Sequence, residues 1–249
     1  MNTVIQQLLN RTSVRSFSGE KVNDSDLELI LKAGQQAPSS INAQQVSLIV
    51  TRDKATIEEI AKIAGGQPQV ATADVFITIV IDFNRTDIAS RFESQKQIIE
   101  QSAEGIIVGA GDAGITLNAL QTAANSLGYG STAIGGIRNN PKAMIELLKL
   151  PKKTFPVFGI TLGVADETQL PQVKPRVPLE SYAMNETYCS EKVEQGVQQY
   201  NEALRNWWDA QGLHSMKTYS EEVAMFYSNV YFPSVAKGFY NQGFKFTDE

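Results

Sequence analysis

Two arginines and two hydroxyl side chains lie within five residues near the start of the chain, namely Arg11, Thr12, Ser13 and Arg15. A planar guanidinium matches a pair of phosphate oxygens, and Ser or Thr hydroxyls supply further hydrogen bonds. The chain is acidic overall, with 22 Lys and Arg against 27 Asp and Glu, so clustered cations need a local reason. We interpret Arg11–Phe17, called the anion-binding segment below, as a candidate anion site. Solvated arginines at the end of a helix are the alternative.

A second pair of cations, Lys174 and Arg176, flanks Pro175. Proline disfavours helix at the residue before it, so the two cations occupy alternate positions of an extended segment and project to the same side. Taken alone, such a tripeptide is more often a surface loop than a site. Together with Arg11 and Arg15 it provides enough positive charge to neutralise a phosphomonoester dianion.

Neutral groups suited to a ring-shaped ligand occur in other polar or glycine-rich segments. Each of these segments is also a common turn sequence, and for the glycines taken singly the turn is the stronger interpretation. Glycines allow a ligand to approach the backbone closely, and amide or hydroxyl side chains can then read its polar edge. The segments are Ser39-Ser40-Ile41-Asn42 with Gln44, Gly65-Gly66-Gln67, Gly130-Ser131-Thr132 and Ile134-Gly135-Gly136.

Composition excludes several classes of protein. A single cysteine, Cys189, forbids a disulfide within the chain, and with one histidine, His214, it leaves too few soft ligands for a zinc site. The formal net charge of -5 argues against a nucleic-acid surface. No apolar run is long enough for a membrane helix or for the core of a signal peptide. We therefore expect a cytoplasmic protein with no metal, membrane or nucleic-acid partner.

Apolar periodicity predicts helices and strands in irregular alternation, which indicates an α+β or α/β sandwich around one mixed sheet. The apolar runs of two predicted strands, 46–50 and 75–81, are continuous, as in strands buried on both faces. Further strands are predicted at 131–134 and 155–162, and helices at 3–9, 24–36, from 53, 141–150, 191–208 and 220–239.

A long central helix is predicted between Phe92 and Leu127, best supported from Gln101 onward. Glycines such as Gly109 and Gly114 lower its intrinsic helicity, so the helix must gain from close tertiary approach. We expect it to pack tightly, against its own copy in a dimer.

Several motifs occur in an order that resembles the flavin-dependent nitroreductases, most of all the larger, NADPH-preferring group of oxygen-insensitive nitroreductases and flavin reductases. The likeness covers residues 3 to about 178, and beyond them mainly the helical layout. In chain order the motifs are RxSxRxF, PSSxxxQ, AGGQ, LGxG, IGGIRNN, LPxxxxPxFG and KPRxP.

The resemblance implies an α+β nitroreductase-like sandwich, with a central mixed sheet flanked by helices, in an intertwined homodimer. It implies one FMN-binding domain over residues 1–249, with 190–240 as a C-terminal helical excursion. The implied FMN ligands are Arg11, Thr12, Ser13, Arg15, Gln67, Gly130, Ser131, Lys174 and Arg176, with Ser39, Ser40 and Ile41 supplied by the partner subunit.

The implied activity is an NADPH-dependent oxidoreductase, with NADH as a possible donor. Hydride passes from nicotinamide to FMN and, in ping-pong order, on to nitroaromatics, quinones or free flavin. No side chain is expected to act as a catalytic acid or base. The polar stretch 211–219 contains only Lys217 to meet the nicotinamide phosphate, which predicts weak discrimination against NADH. A reductase that supplies free reduced flavin and a non-catalytic flavin-binding protein are the alternatives.

Overall fold

The computed structural model describes residues 2–248, which form two compact units. One unit runs to Pro171 and resumes at Phe232, and the other is Gln172–Tyr231. The first unit contains α1 Thr3–Leu9, α2 Asp24–Gln35, β1 Val46–Thr51, α3 Lys54–Ile63, α4 Pro68–Ala71, β2 Val75–Asp82, α5 Phe83–Phe92, α6 Ala103–Ser126, β3 Tyr129–Ile134, α7 Pro141–Leu147 and β4 Thr154–Val164. The second contains α8 Leu179–Tyr182, α9 Ser190–Asp209 and α10 Tyr219–Tyr227, and α11 Val235–Asn241 belongs to the first.

Within residues 2–248 the strands form one four-stranded sheet in the order β1-β2-β4-β3. Register is fixed by pairs such as Ile49 with Thr78 and Ser131 with Leu162. The β2–β4 ladder shifts between Ile79 and Val80, next to Pro156. A proline has no N–H to donate, so a bulge is where a central strand can accommodate it.

The prediction of a mixed sheet was wrong for the described strands, because all three ladders are antiparallel. The continuous apolar run of β2 predicts a strand buried on both faces. Each of its eight residues is indeed buried. Burial on both faces reflects helices packed on each side, however, and does not determine strand direction.

The core lies in two layers on opposite faces of the sheet. Alternate residues of β2 point to opposite sides, so Ile77 and Ile79 join a cluster with Leu120 of α6, whereas Phe76 joins a cluster with Ile60 of α3. Helices therefore cover both faces, as predicted for an α+β sandwich.

The predicted central helix is α6, which covers Ala103–Ser126 but not the chain from Phe92 onward. The hydroxyl of Ser102 accepts a hydrogen bond from the N–H of Gly105 at 3.1 Å and caps the helix there. A left-handed residue, Ser94, follows α5 directly and separates it from α6.

The predicted helix over 220–239 is two helices, α10 and α11, that belong to different units. The break is explained by Pro233, which lacks an N–H donor and disfavours helical conformation at Phe232. The single-domain prediction with an excursion at 190–240 remains a prediction. The compact unit Gln172–Tyr231 starts and ends earlier than that excursion.

Among the residues described, no helix is long and apolar enough to cross a membrane.

Candidate functional site

The anion-binding segment is fixed to the sheet by backbone hydrogen bonds. The N–H of Val14 donates to the carbonyl of Ser131 at 3.1 Å, and the hydroxyl of Thr132 donates to the carbonyl of Val14 at 2.8 Å. At its other end, Phe17 forms a β-bridge with Ala165, just beyond β4. The segment therefore lies along β3 in an extended conformation rather than as a solvated helix end.

The hydrogen bonds to β3 determine which side chains of the segment are buried and which line a cavity. Val14 is buried, and a Cβ on Gly130 would come within 2.6 Å of its side chain, so glycine allows the close approach. Ser13 and Arg15, on either side of Val14, line a cavity of about 420 Å³. Its other lining residues are Ser16, Phe17, Pro68, Thr72, Gln169 and Pro171.

Four further residues of the predicted site lie within or beside the same segment. Arg11 and Thr12 are half-buried immediately before Ser13. Gly130 and Ser131 follow Tyr129 on β3, so the structure brings them next to the anion-binding segment through the Val14–Ser131 hydrogen bond. Ser131 is itself buried.

Gln67 lies beside the glycines of Gly135-Gly136 and directly before Pro68 of the cavity wall. Its amide nitrogen donates to the carbonyl of Ala64 at 3.1 Å, and a Cβ on Gly136 would come within 2.6 Å of that nitrogen. Its amide oxygen accepts from Gln69 at 2.7 Å. The preceding Gly65 and Gly66 have φ of 87° and 73°, values that favour glycine, so the turn holds the amide in place.

Ser39, Ser40 and Ile41 are not brought to this cavity. Ser39 lines a separate cavity of about 500 Å³ between α2, β1 and Asp112 of α6, and the two cavities share no lining residue. Ile41 projects into solvent with 94% of its surface exposed. Within the first unit, the predicted site is therefore divided between two places.

In the second unit, Lys174 and Arg176 are both exposed. The ammonium of Lys174 lies 4.8 Å from the ring centroid of Trp208, and the guanidinium of Arg176 donates to the carbonyl of Lys174 at 3.1 Å. The hydroxyl of Tyr200 donates to the carbonyl of Pro175 at 3.2 Å, and burial, the largest influence, raises the pKa of this tyrosine.

Sequence reasoning missed Trp208. It is 91% buried, since 9% of its surface remains exposed, and its indole N–H has no hydrogen-bond partner among the described residues. The face of its ring, with the centroid 4.8 Å from the Lys174 ammonium, is suited to hold that cation in place. More than thirty residues separate the two along the chain, so no local motif links them.

Lys217, the predicted nicotinamide contact, donates to the sulfur of Met225 at 2.6 Å. The stretch before it is held by Arg205, which sequence reasoning also missed and which donates to the carbonyls of Met216 at 2.6 Å and Leu213 at 3.1 Å. Arg205 also pairs with Asp209 at 3.0 Å.

The same carboxylate accepts from the ring of His214 at 2.9 Å. The hydrogen bond to His214 is the main cause that lowers the pKa of Asp209, and the charge of Arg205 adds to it. The polar stretch is thus tied to α9 by one arginine and one aspartate.

Chemically, each part of the candidate site supplies donors. The first unit provides guanidinium, hydroxyl, amide and backbone N–H groups around an open cavity, and the second provides an ammonium, a guanidinium and an indole N–H. Charge-assisted bonds from such groups suit a phosphate, and the neutral donors suit a polar ring edge. The donor set therefore fits a phosphate-bearing heterocycle.

Comparison with known proteins identifies matches over nearly the whole chain. A family model described as the nitroreductase family matches residues 8–164, and a model described as the C-terminal domain of that family matches residues 174–247.

Two relatives and one solved structure illustrate the likeness. A protein of Bacillus subtilis strain 168 named FMN reductase NAD(P)H is 39% identical over 98% of this chain and 99% of its own. The oxygen-insensitive NADPH nitroreductase of Salmonella typhimurium is 35% identical over 90% of each chain. The structure of NfrA2 of B. megaterium superposes with a TM-score of 0.95 at 34% identity and covers all of both chains.

Proposed function

The chain belongs to the nitroreductase family, and from this premise we propose how its residues bind a flavin and which electron donors and acceptors it uses. The protein is an FMN-dependent NAD(P)H oxidoreductase, as predicted from the sequence. When bound, FMN accepts hydride from the nicotinamide and passes electrons to an acceptor. The observation that carries the proposal is the anion-binding segment, fixed along β3 with Ser13 and Arg15 facing a cavity of about 420 Å³.

The FMN phosphate is bound by cations and hydroxyls. In the first unit these are Arg11, Ser13 and Arg15, with Thr12 beside them. Lys174 and Arg176 of the second unit supply further charge, as predicted from the sequence. The ring of Trp208 against the Lys174 ammonium supports this assignment, because a cation–π contact holds the cation in place for an anionic ligand.

Neutral groups orient the ring. Gln67 presents an amide beside the cavity, and Gly130 with Ser131 presents backbone at the end of β3 nearest the anion-binding segment. Donors at the polar edge of a flavin stabilise the charge that it gains on reduction. These side chains bind and orient, and no acid or base from the protein is required.

We infer a homodimer in which Ser39, Ser40 and Ile41 reach the flavin of the partner subunit. Their separation from the Arg15 cavity within one chain supports this arrangement. So does the exposed apolar surface of α6, where Ile107 is 65% exposed. Soluble protein surfaces seldom carry such residues in groups unless another chain covers them. The residues exposed on α1 and α6 include Val4, Ile5, Leu8, Leu9, Ile107 and Ile115.

The donor is NAD(P)H, with a weak preference for the phosphorylated form. Lys217 is the predicted contact of the nicotinamide phosphate, and its present partner, a thioether sulfur, is a weak acceptor that an anion can replace. Nitroaromatics, quinones and free flavin are the proposed acceptors. The Bacillus relative named an FMN reductase favours free flavin as a second candidate product of this chain. A cytoplasmic location stays a prediction.

The phosphate assignment is tested by comparing FMN with riboflavin, which lacks the phosphate. In Arg15→Ala we expect the FMN dissociation constant to rise about tenfold or more, because a charge-assisted bond is lost, while riboflavin binding is unchanged. Arg91→Ala, an exposed arginine of α5, is the matched control. Equal FMN affinity in Arg15→Ala and the parent would exclude the assignment. A parent protein that is colourless and is not reduced by NAD(P)H would exclude the function.

A further inference from the structure

The segment that follows α2, residues 39–44 and called the 39–44 loop below, has a strained backbone. Ile41, Asn42 and Gln44 have φ of 49°, 57° and 53°, in the left-handed region that favours glycine. Asparagine tolerates this region, but a β-branched isoleucine does not. Residues held in such conformations persist only where the surroundings enforce them, and they concentrate at functional sites.

One carboxylate outside the loop accepts hydrogen bonds near both of its ends, in addition to the backbone bonds from Asn42 to Ser39 and from Ala43 to Ser40 at 3.0 Å within it. Asp112 of α6 accepts from the backbone N–H of Ser40 at 3.1 Å and from the amide of Gln45 at 2.6 Å. Within the loop, the N–H of Gln44 donates to the hydroxyl of Ser39 at 3.1 Å. Asp112 thus fixes the loop near both of its ends, while Ile41 between them stays exposed.

Burying the carboxylate of Asp112 is energetically unfavourable. Only 6% of its surface is exposed, and burial, the larger influence, raises the pKa of its carboxyl, whereas the hydrogen bond from Ser40 acts in the opposite direction. The other charged side chains that line the same cavity form ion pairs that do not include Asp112. Glu28 and Lys32 pair with each other at 2.6 Å, and Arg85 approaches Asp82 at 3.9 Å.

The contact with the loop does not depend on the negative charge of the carboxylate. The amide oxygen of Gln45 is buried and has no partner among the described residues, so an asparagine at position 112 could accept from Ser40 and donate to Gln45. What the position requires is an acceptor for the loop.

We propose that Asp112 is a positioning residue for the flavin ring, because through Ser40 and Gln45 it holds the 39–44 loop in the strained conformation that presents Ser39, Ser40 and Ile41 to the cofactor. This inference rests on the proposed contact of those three residues with FMN. Asp112 itself touches neither flavin nor substrate in this scheme.

The test compares two variants in the full-length protein. Asp112→Leu keeps the branching at Cγ and removes both acceptor oxygens, and we expect the dissociation constants of FMN and of riboflavin to rise by the same factor, about tenfold. Asp112→Asn keeps an acceptor and is expected to restore both values to within about twofold of the parent. Glu104→Leu, an exposed carboxylate on the same helix, is the control and should match the parent.

Equal factors for the two flavins separate loop positioning from the phosphate contact, since Arg15→Ala is expected to change FMN binding alone. A general loss of structure is detected by urea unfolding. Asp112→Leu leaves the donors of Ser40 and Gln45 without their acceptor, so we expect its free energy of unfolding to fall, and flavin binding is compared where the variant is still folded. If both flavins bind Asp112→Leu as tightly as the parent, the positioning role is overturned while the function stands. If the parent binds no flavin, the function itself fails.

Should Asp112→Leu fail to fold, Gln45→Met decides the question. It removes one of the two donors to the carboxylate and leaves the bond from Ser40. We expect an intermediate and again equal rise in both dissociation constants, about threefold. Parental affinity in a folded Gln45→Met would overturn the proposal.

Discussion

Lys174 owes its position to the neighbouring aromatic rings. Its ammonium is 4.8 Å from the centroid of Trp208 and 5.9 Å from that of Trp207, distances at which a cation is attracted to the face of a ring. The two indoles pack edge to face with centroids 4.6 Å apart. A flexible lysine side chain is thereby restricted before any phosphate binds, which reduces the entropy lost on binding.

Replacing Trp208 is therefore expected to weaken FMN binding. In Trp208→Leu the FMN dissociation constant should rise about two- to fivefold, which corresponds to the free energy of an exposed cation–π contact. Riboflavin binding should stay the same. Trp208→Phe keeps a ring and should lie between this variant and the parent. Fluorescence titration with both flavins measures the effect. A Trp207→Leu variant with the larger loss would assign the contact to the other indole.

At the scale of single residues, the sequence predicts clusters better than contacts between distant residues. Ser13 and Arg15 share a cavity because neighbours along an extended segment stay neighbours in space. Asp112 and Trp208 were not predicted, since their partners lie far away in the chain and are brought to them only by packing. Whether the predicted flavin ligands bind FMN stays a prediction.

The central helix α6 contains glycines with different surroundings. A Cβ on Gly109 would come within 2.7 Å of the side chain of Ile81 on β2, whereas a Cβ on Gly111 would meet no atom within 4 Å. The first glycine is thus needed for the helix to approach the sheet. The second lies on a face that the rest of the chain does not cover.

Alanine at these two positions should have opposite effects on stability. Gly109→Ala forces Ile81 and the sheet to move, and we expect the free energy of unfolding to fall by about 1–3 kcal/mol. Gly111→Ala gains helix propensity without a clash and should raise it by about 0.5–1 kcal/mol. Urea unfolding of both variants is the measurement. A stabilised Gly109→Ala would show that the helix and the sheet can separate at little cost.

At the scale of elements, periodicity predicted which segments are helices and strands better than how they pair or where they end. The four strands lie where apolar runs predicted them. Strand direction was mispredicted, because a strand buried on both faces carries the same apolar pattern in either type of sheet. The break between α10 and α11 follows from Pro233, a local signal that the apolar pattern concealed.

For the molecule as a whole, the proposed homodimer can be tested at the exposed apolar surface of α6. Ile107→Glu places a charge where we propose that two copies meet, so dissociation into monomers is expected, together with weaker FMN binding because Ser39–Ile41 of the partner subunit are lost from the site. Sedimentation velocity with absorbance at the flavin wavelength records both. Tyr188→Glu, 75% exposed in the second unit, is the control and should remain dimeric. If Ile107→Glu remains dimeric and binds FMN as fully as the parent, the dimer interface does not include Ile107.

The stability of the first unit should also depend on pH through an ion cluster at the start of β4. Lys153 lies 2.7 Å from Asp87 and 2.8 Å from Glu100, and only 1% of the Glu100 side chain is exposed. The hydrogen bond from Lys153 is the main cause that lowers the pKa of Asp87. Burial alone would lower the pKa of Lys153, but its bonds and charges with the two carboxylates outweigh burial and raise it.

The pKa shifts of Asp87 and Lys153 define the pH range in which the ion cluster stabilises the protein. A carboxyl whose pKa is lowered on folding stabilises the protein above its unfolded value and loses that contribution as the pH falls through the folded pKa. An amine whose pKa is raised contributes below its unfolded value and loses it as the pH rises through the folded pKa. The cluster therefore stabilises the protein at neutral pH, and its contribution is lost at low pH and at high pH.

Lys153→Met leaves Glu100 buried without its cation, so unfolding free energy at neutral pH should fall by about 3 kcal/mol. The loss should shrink in acid, because the parent loses the contribution of the Lys153 bond to Asp87 as the pH falls through the lowered folded pKa of Asp87. Urea unfolding across acid and neutral pH measures it, with the neighbouring Lys152→Met as the control, since Lys152 is exposed and donates to the carbonyl of Asn241. A deficit that is equal at every pH would mean that Lys153 contributes through packing of its methylene chain, and the ion cluster would then add nothing to stability.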